Sequence, residues 1–156
     1  MHFEKELVVG VPPARVWAFL WDVERVARCL PGCTDVRTVA PHKQYAAVVN
    51  ERVGPFRVRF PLEIEVLDVE EGRRLTAQAA GRDSAMGSSL KVALELRLEP
   101  APAGSRLLIF TDTTILGKLG TLGQGVIQRK AEGVMAQFAG AVQRELESDA
   151  PGTAPA

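Results

Sequence analysis

The chain has 156 residues, 46% of them hydrophobic and 24% charged, and its 19 basic and 19 acidic side chains leave a formal net charge of zero. That balance fits one globular domain large enough to bury a core, and it offers no net positive charge to favour a nucleic-acid partner. The charged opening MHFEKEL is unlike a secretory signal, and no apolar run is long enough to cross a bilayer, so the expected location is the cytoplasm.

In chain order, Phe3, Lys5, Leu7 and Val9 alternate with more polar neighbours and predict a first strand over 2–10. Pro12-Pro13 suits the first turn of a helix, which runs to about Trp21 and carries Val16, Trp17, Phe19 and Leu20. Asp22 is placed to cap a second short helix, Val23 to Cys29, ended by Pro31-Gly32. Strands follow over Thr34 to Ala40 and Gln44 to Val53. The cleanest alternation comes next: Phe56, Val58, Phe60, Leu62, Ile64 and Val66 on one face, Arg57, Arg59, Glu63 and Glu65 on the other. Pro61 suggests an edge or a bulge there, and the broken period at Val66-Leu67 suggests a bulge.

Leu75, Ala77 and Ala79 mark the next strand. Leu90 to Leu98 marks another, with even positions inward, and Arg106 to Leu116 the last. From Leu119 an apolar stripe through Leu122, Val126, Ala131, Val134, Phe138, Val142 and Leu146 predicts one long helix over about Lys118 to Glu147. The expected domain is 1–147, and the polar tail 148–156 is expected to be disordered.

One strand, two short helices, about six strands and a long helix make an α+β arrangement: a curved antiparallel sheet gripping the last helix. A single helix covers such a sheet incompletely and leaves an apolar pocket. Residues expected to line it are Phe60, Leu62, Ala77, Met86, Leu94, Leu119, Leu122, Val134 and Phe138, with room made by the small helix residues Ala131, Gly133, Ala136 and Gly140. Gly117, Gly120, Gly123 and Gly125 read as a hinge at the mouth, Leu119 and Leu122 as one apolar lip and the loop around Met86 as the other; ordinary turn and core roles serve equally well.

Chemistry-bearing residues are few. Tyr45 is placed to donate a hydrogen bond to a ligand carbonyl or to be an ordinary core or surface tyrosine, and Glu51 shares its face. Asp112, on the face of Leu108 and Phe110, either projects into the pocket with a raised pKa or is a carboxylate in water, the commoner case. His42 sits in a turn and reads as dispensable. Cys29 and Cys33, in CLPGC, read as a reduced, half-buried pair, with a local disulfide as the alternative. Scattered cysteines and histidines compose no zinc site, and no cofactor is expected.

Several motifs in order carry a family resemblance. They are Val-Trp-x-x-Leu in the first helix, Asp22, Leu30-Pro31-Gly32, Val53-Gly54-Pro55-Phe56, Gly81, Gly87 and Gly117-Lys-Leu-Gly120, with the following helix through Gln137-Phe138. From Phe3 to about Leu146 the chain resembles the carbon monoxide dehydrogenase CoxG family of the START-like/SRPBCC superfamily. The resemblance implies a seven-stranded helix-grip fold with a ligand cavity. It also implies a non-catalytic accessory role beside a molybdenum hydroxylase of the carbon monoxide dehydrogenase type, binding membrane quinone or tethering the enzyme to the membrane.

The expected function is therefore binding of a hydrophobic quinone or lipid-like ligand, with Tyr45 or Asp112 orienting its head group and transient contact at the inner face of the membrane. A polyketide cyclase or aromatase-like enzyme and a ligand-free assembly module are the rival readings.

Overall fold

A computed structural model describes residues 1–148. The chain forms β1 (His2–Val9), α1 (Pro13–Trp21), α2 (Val23–Cys29), β2 (Cys33–Ala40), β3 (Gln44–Val53), β4 (Phe56–Glu70), β5 (Arg74–Asp83), β6 (Ser88–Ala101), β7 (Gly104–Gly117), a 3-10 helix (Lys118–Leu122) and α3 (Gln124–Ser148). The strands make one seven-stranded antiparallel sheet in the order β1-β7-β6-β5-β4-β3-β2. β1 joins β7 at one end of that order, and the other five connections in the sheet are hairpins. This is the α+β helix-grip fold expected. The tail 149–156 lies outside the described residues.

Local chemistry sets the boundaries. Asp22 caps α2 by accepting the Arg25 N–H at 3.4 Å. The Val66–Asp68 register shift is the expected bulge and bends β4. Pro61 is not at an edge, since β4 lies between β3 and β5, nor at the bulge. It marks where the β4–β5 ladder stops: pairing begins at Leu62–Gly81. A Cβ on Gly81 would lie 2.2 Å from the Pro61 carbonyl oxygen, so only glycine admits so close an approach of the two strands. Beyond the ladder's end, the buried Asp83 carboxylate takes over the role of a strand. It accepts the N–H groups of Arg59 at 2.8 Å and Met86 at 3.0 Å.

The C-terminal segment is not one helix. It starts as a 3-10 helix, breaks at Gly123 (φ 90°) and resumes as α3. The apolar period runs through the break, but the glycines around it weaken helix propensity. Tertiary contacts decide the rest: Leu119 is 1% exposed, and its N–H donates to the buried Ser88 Oγ at 2.8 Å.

The core is in two parts. The larger joins α1, α2, β1 and the second half of α3 to the far halves of β5, β6 and β7, around Phe19, Leu107, Ile109 and Val142. The smaller sits under the 3-10 helix, around Val53, Val58, Phe60, Leu62 and Leu119, with Met86, Leu122 and Val126 packed against it.

Candidate functional site

Strand alternation and register assign every inward position. Even residues of β6, and of β4 as far as Val66, face α3, as do odd residues of β3, β5 and β7; past the bulge the parity of β4 reverses, and Val69 pairs with inward Leu75. On that concave face the two clusters do not meet. Between them lies a belt that includes Ala79 on β5, Val92 on β6, Thr111 and Thr113 on β7, and Ala131 and Val134 on α3, all only half-buried. The backbone of α3 comes closest to β1, β3, α1, α2 and the 3-10 helix, and it stands farther from the central strands. Solvent therefore reaches an interior strip bounded above by the helix and below by small or polar side chains.

Room on the sheet side comes from β5, whose central inward positions, between Leu75 and Asp83, are Ala77, Ala79 and Gly81. The helix contributes less than its composition suggests: Gly133 and Ala136 are exposed, and nothing lies within 4 Å of a Cβ placed on Gly133.

The residues expected to line a pocket fall into three groups. Phe60, Leu62, Leu119, Leu122 and Met86 do come together, as the smaller core cluster; Leu119 is core rather than lip. Leu94 and Phe138 pack against the larger cluster at the other end. Ala77, on the β5 floor, and Val134, on α3, lie between.

The two polar candidates fare differently. Tyr45 is buried and faces inward, but its hydroxyl oxygen accepts the His42 N–H at 2.7 Å and so ties down the β2–β3 turn. Asp112 is on the opposite face. Its carboxylate is 70% exposed and meets His2 Nδ1 at 3.0 Å. Leu108, Phe110 and Asp112 do share a face, but the inward one belongs to Leu107 and Ile109.

A third polar feature carries more weight. Lys130 Nζ donates to Glu51 Oε1 at 2.6 Å, joining α3 to the inward face of β3 beside the α2–β2 loop, whose Gly32 faces the same carboxylate. Both side chains are partly screened from solvent, at 21% exposure for Glu51 and 34% for Lys130. Lys130 is legible in the sequence as the one cation four residues from both Val126 and Val134 in the apolar stripe. Asp83 is legible too, as the inward continuation of Ala77, Ala79 and Gly81.

At the other end of the groove, His42 (φ 63°) stacks on Trp21 with centroids 4.0 Å apart, and Trp21 meets Trp17 edge to face. Trp17 Nε1 donates to Glu71 at 3.0 Å and closes the row. Cys29 and Cys33 are free thiols whose pKa values burial raises, which makes them poor nucleophiles. Among the described residues, no cluster of His, Cys, Asp and Glu has the geometry to hold a metal.

The family model for CoxG, named as a component of carbon monoxide dehydrogenase, matches residues 6–147. The chain belongs to the CoxG family. No curated protein matches it in sequence. Among solved structures it is similar to a conserved protein from Geobacillus kaustophilus, at 17% identity over 94% of this chain and 95% of that one, with a TM-score of 0.83. The Zhui aromatase/cyclase from Streptomyces sp. R1128 is similar at 16% identity over 100% and 99%, with a TM-score of 0.74. Ara h 8.0201 is similar at 17% identity over 95% and 98%, with a TM-score of 0.64. These likenesses establish a shared fold. CoxG is an accessory family whose name ties it to carbon monoxide dehydrogenase. Among the described residues no helix is long and apolar enough to cross a membrane.

Proposed function

We propose that this CoxG-family chain is a non-catalytic carrier for a hydrophobic, quinone or lipid-like molecule, held between α3 and the sheet. In this reading it serves a molybdenum hydroxylase of the carbon monoxide dehydrogenase type by exchanging quinone with the membrane. The observation that carries the reading is the interrupted core: an inward belt that solvent reaches, roofed by a helix whose backbone stands off the central strands. Tail burial supplies affinity, at about 0.8 kcal/mol per methylene before the costs of binding. Neither Asp112 nor the Tyr45 oxygen orients the head group in this reading; Lys130, shared with Glu51, is the polar contact available.

A second reading, a cyclase-like enzyme, has one observation in its favour: the same Glu51–Lys130 pair puts an acid–base couple at the edge of the groove, in a fold similar to that of an aromatase/cyclase.

Titrating quinones of increasing tail length tests the carrier reading. Affinity should rise with tail length, and the bare head group should bind weakly. Leu122→Arg, at the margin of the smaller cluster, should lower uptake about tenfold while the fold persists, because arginine reaches water from there. Affinity independent of tail length refutes the carrier; turnover of a polyketide substrate that Lys130→Met abolishes establishes the enzyme.

A further inference from the structure

We propose that the convex face of the sheet, opposite α3, is a docking surface for an acidic segment of a protein partner. Alternation places six cations at one end of that face, away from Arg74, Arg97 and Arg106 at the other: Arg37 (β2), Arg52 (β3), Arg57 and Arg59 (β4), Arg82 (β5) and Lys91 (β6), all exposed. Arg52 and Arg57 are direct cross-strand partners, an arrangement of like charges that costs stability.

Among the described residues none of the six forms an ion pair, whereas cations elsewhere do. Arg74 and Arg97 share Glu95, Arg106 meets Glu6 and Glu99, and Arg25 meets Glu145. Two nearby carboxylates are already committed. Asp83 turns inward to backbone N–H groups, and Glu51 reaches through the interior to Lys130. Among the described residues, Asp35 and Glu63 are the other acids that line the two depressions of this surface. Zero net charge thus conceals segregation within the convex face: acids such as Glu4, Glu6, Asp68, Glu70, Glu99 and Asp112 lie on the same face but gather at its other end, around β1 and the β4–β5 turn.

Shape selects the occupant. The convex face is indented by a trough of about 810 Å³ crossing β2 to β7, and a second depression of about 640 Å³ adjoins it at the β3–β4 end. Arg82 and Pro61 line both. A flat bilayer surface cannot follow a concave trough to its floor, but a protruding segment of chain can. Leu116, 62% exposed, and Val39, 55% exposed, stand at the two sides and offer apolar contact to such a segment. Unpaired guanidinium groups match its carboxylates, forming forked hydrogen bonds once it is seated. This surface is on the opposite side of the sheet from the ligand groove, so its occupancy is independent of the carrier reading.

The test is fluorescence anisotropy of a labelled polyglutamate peptide titrated with the full chain. Binding should be saturable at 0.1 M salt and at least tenfold weaker at 1 M, because the screening length falls from about 10 Å to about 3 Å. Arg57→Glu/Arg82→Glu should weaken it tenfold or more. Arg129→Glu/Arg144→Glu, the same charge change on exposed α3 positions, should leave it within twofold. Circular dichroism melting confirms folding, and Arg37→Gln/Lys91→Gln replaces the first pair if that pair fails to fold. Absence of peptide binding at 0.1 M salt overturns the proposal, as does equal weakening by both double variants. So does tighter, reversal-sensitive binding to phosphatidylserine vesicles or to a DNA duplex.

Discussion

The two ends of the groove under α3 are built differently. At one end α1, α2, β1 and the C-terminal half of α3 enclose Phe19, Leu107 and Val142 in a continuous apolar cluster, with Arg25–Glu145 clamping α2 to α3 at 2.9 Å. At the other, the cluster is smaller and hangs on single polar contacts: Ser88 to the Leu119 N–H, and Asp83 to the strand and turn beside it. Stability concentrated at one end leaves the other end, with the broken helix at Gly123, as the part that can open. The interior belt between them is left uncommitted to either cluster.

Four substitutions probe that contrast, beginning with the largest effect. Phe19→Ala, in the larger cluster, should cost about 3–5 kcal/mol in denaturant unfolding. A loss no greater than that of a similar truncation under the 3-10 helix would erase the difference between the ends.

Asp83→Ala should cost about 2 kcal/mol, because two backbone N–H groups lose a charged acceptor. The Arg59 N–H is the main cause holding the Asp83 carboxyl below its ordinary value of 3.8, with the Met86 and Ala85 N–H groups adding to it against the opposing effect of burial. A depressed folded-state pKa contributes stability that is complete above the unfolded value and is lost as pH falls through the folded one. The wild-type chain should therefore lose stability below about pH 4. The Ala variant should lose less over the same window in a pH series of urea melts.

Ala79→Leu sharpens the comparison at the belt. In a filled core the added methylenes would cost about 1–3 kcal/mol. In an open strip they should cost under about 1 kcal/mol while lowering long-chain quinone affinity tenfold or more. The smallest effect belongs to His42→Ala, which removes the stack on Trp21 and should cost about 0.5 kcal/mol with ligand affinity unchanged. A lost affinity in a folded His42→Ala chain would move the functional site to the row of Trp17, Trp21 and His42.

Much of this architecture is legible in the amino-acid sequence, because it rests on local periodicity. Alternation over Phe56–Val66 and Leu90–Leu98, the cap at Asp22 and the bulge at Val66 all reappear with the faces expected of them. Period alone identifies which residues share a face, but where both faces are apolar it does not say which turns inward. Leu107 to Phe110 is such a stretch, and pairing of β7 with β1 and β6 put Asp112 outside. The same limit applies to the C-terminal helix: an apolar stripe is continuous in sequence across Gly123, while the backbone breaks there, with Leu119 held by Ser88 on the near side of the break. The joining of Lys130 to Glu51, of Asp83 to Arg59 and of six arginine and lysine side chains into one face depends on long-range register. Register is set by how distant strands pair, so only the tertiary structure decides it.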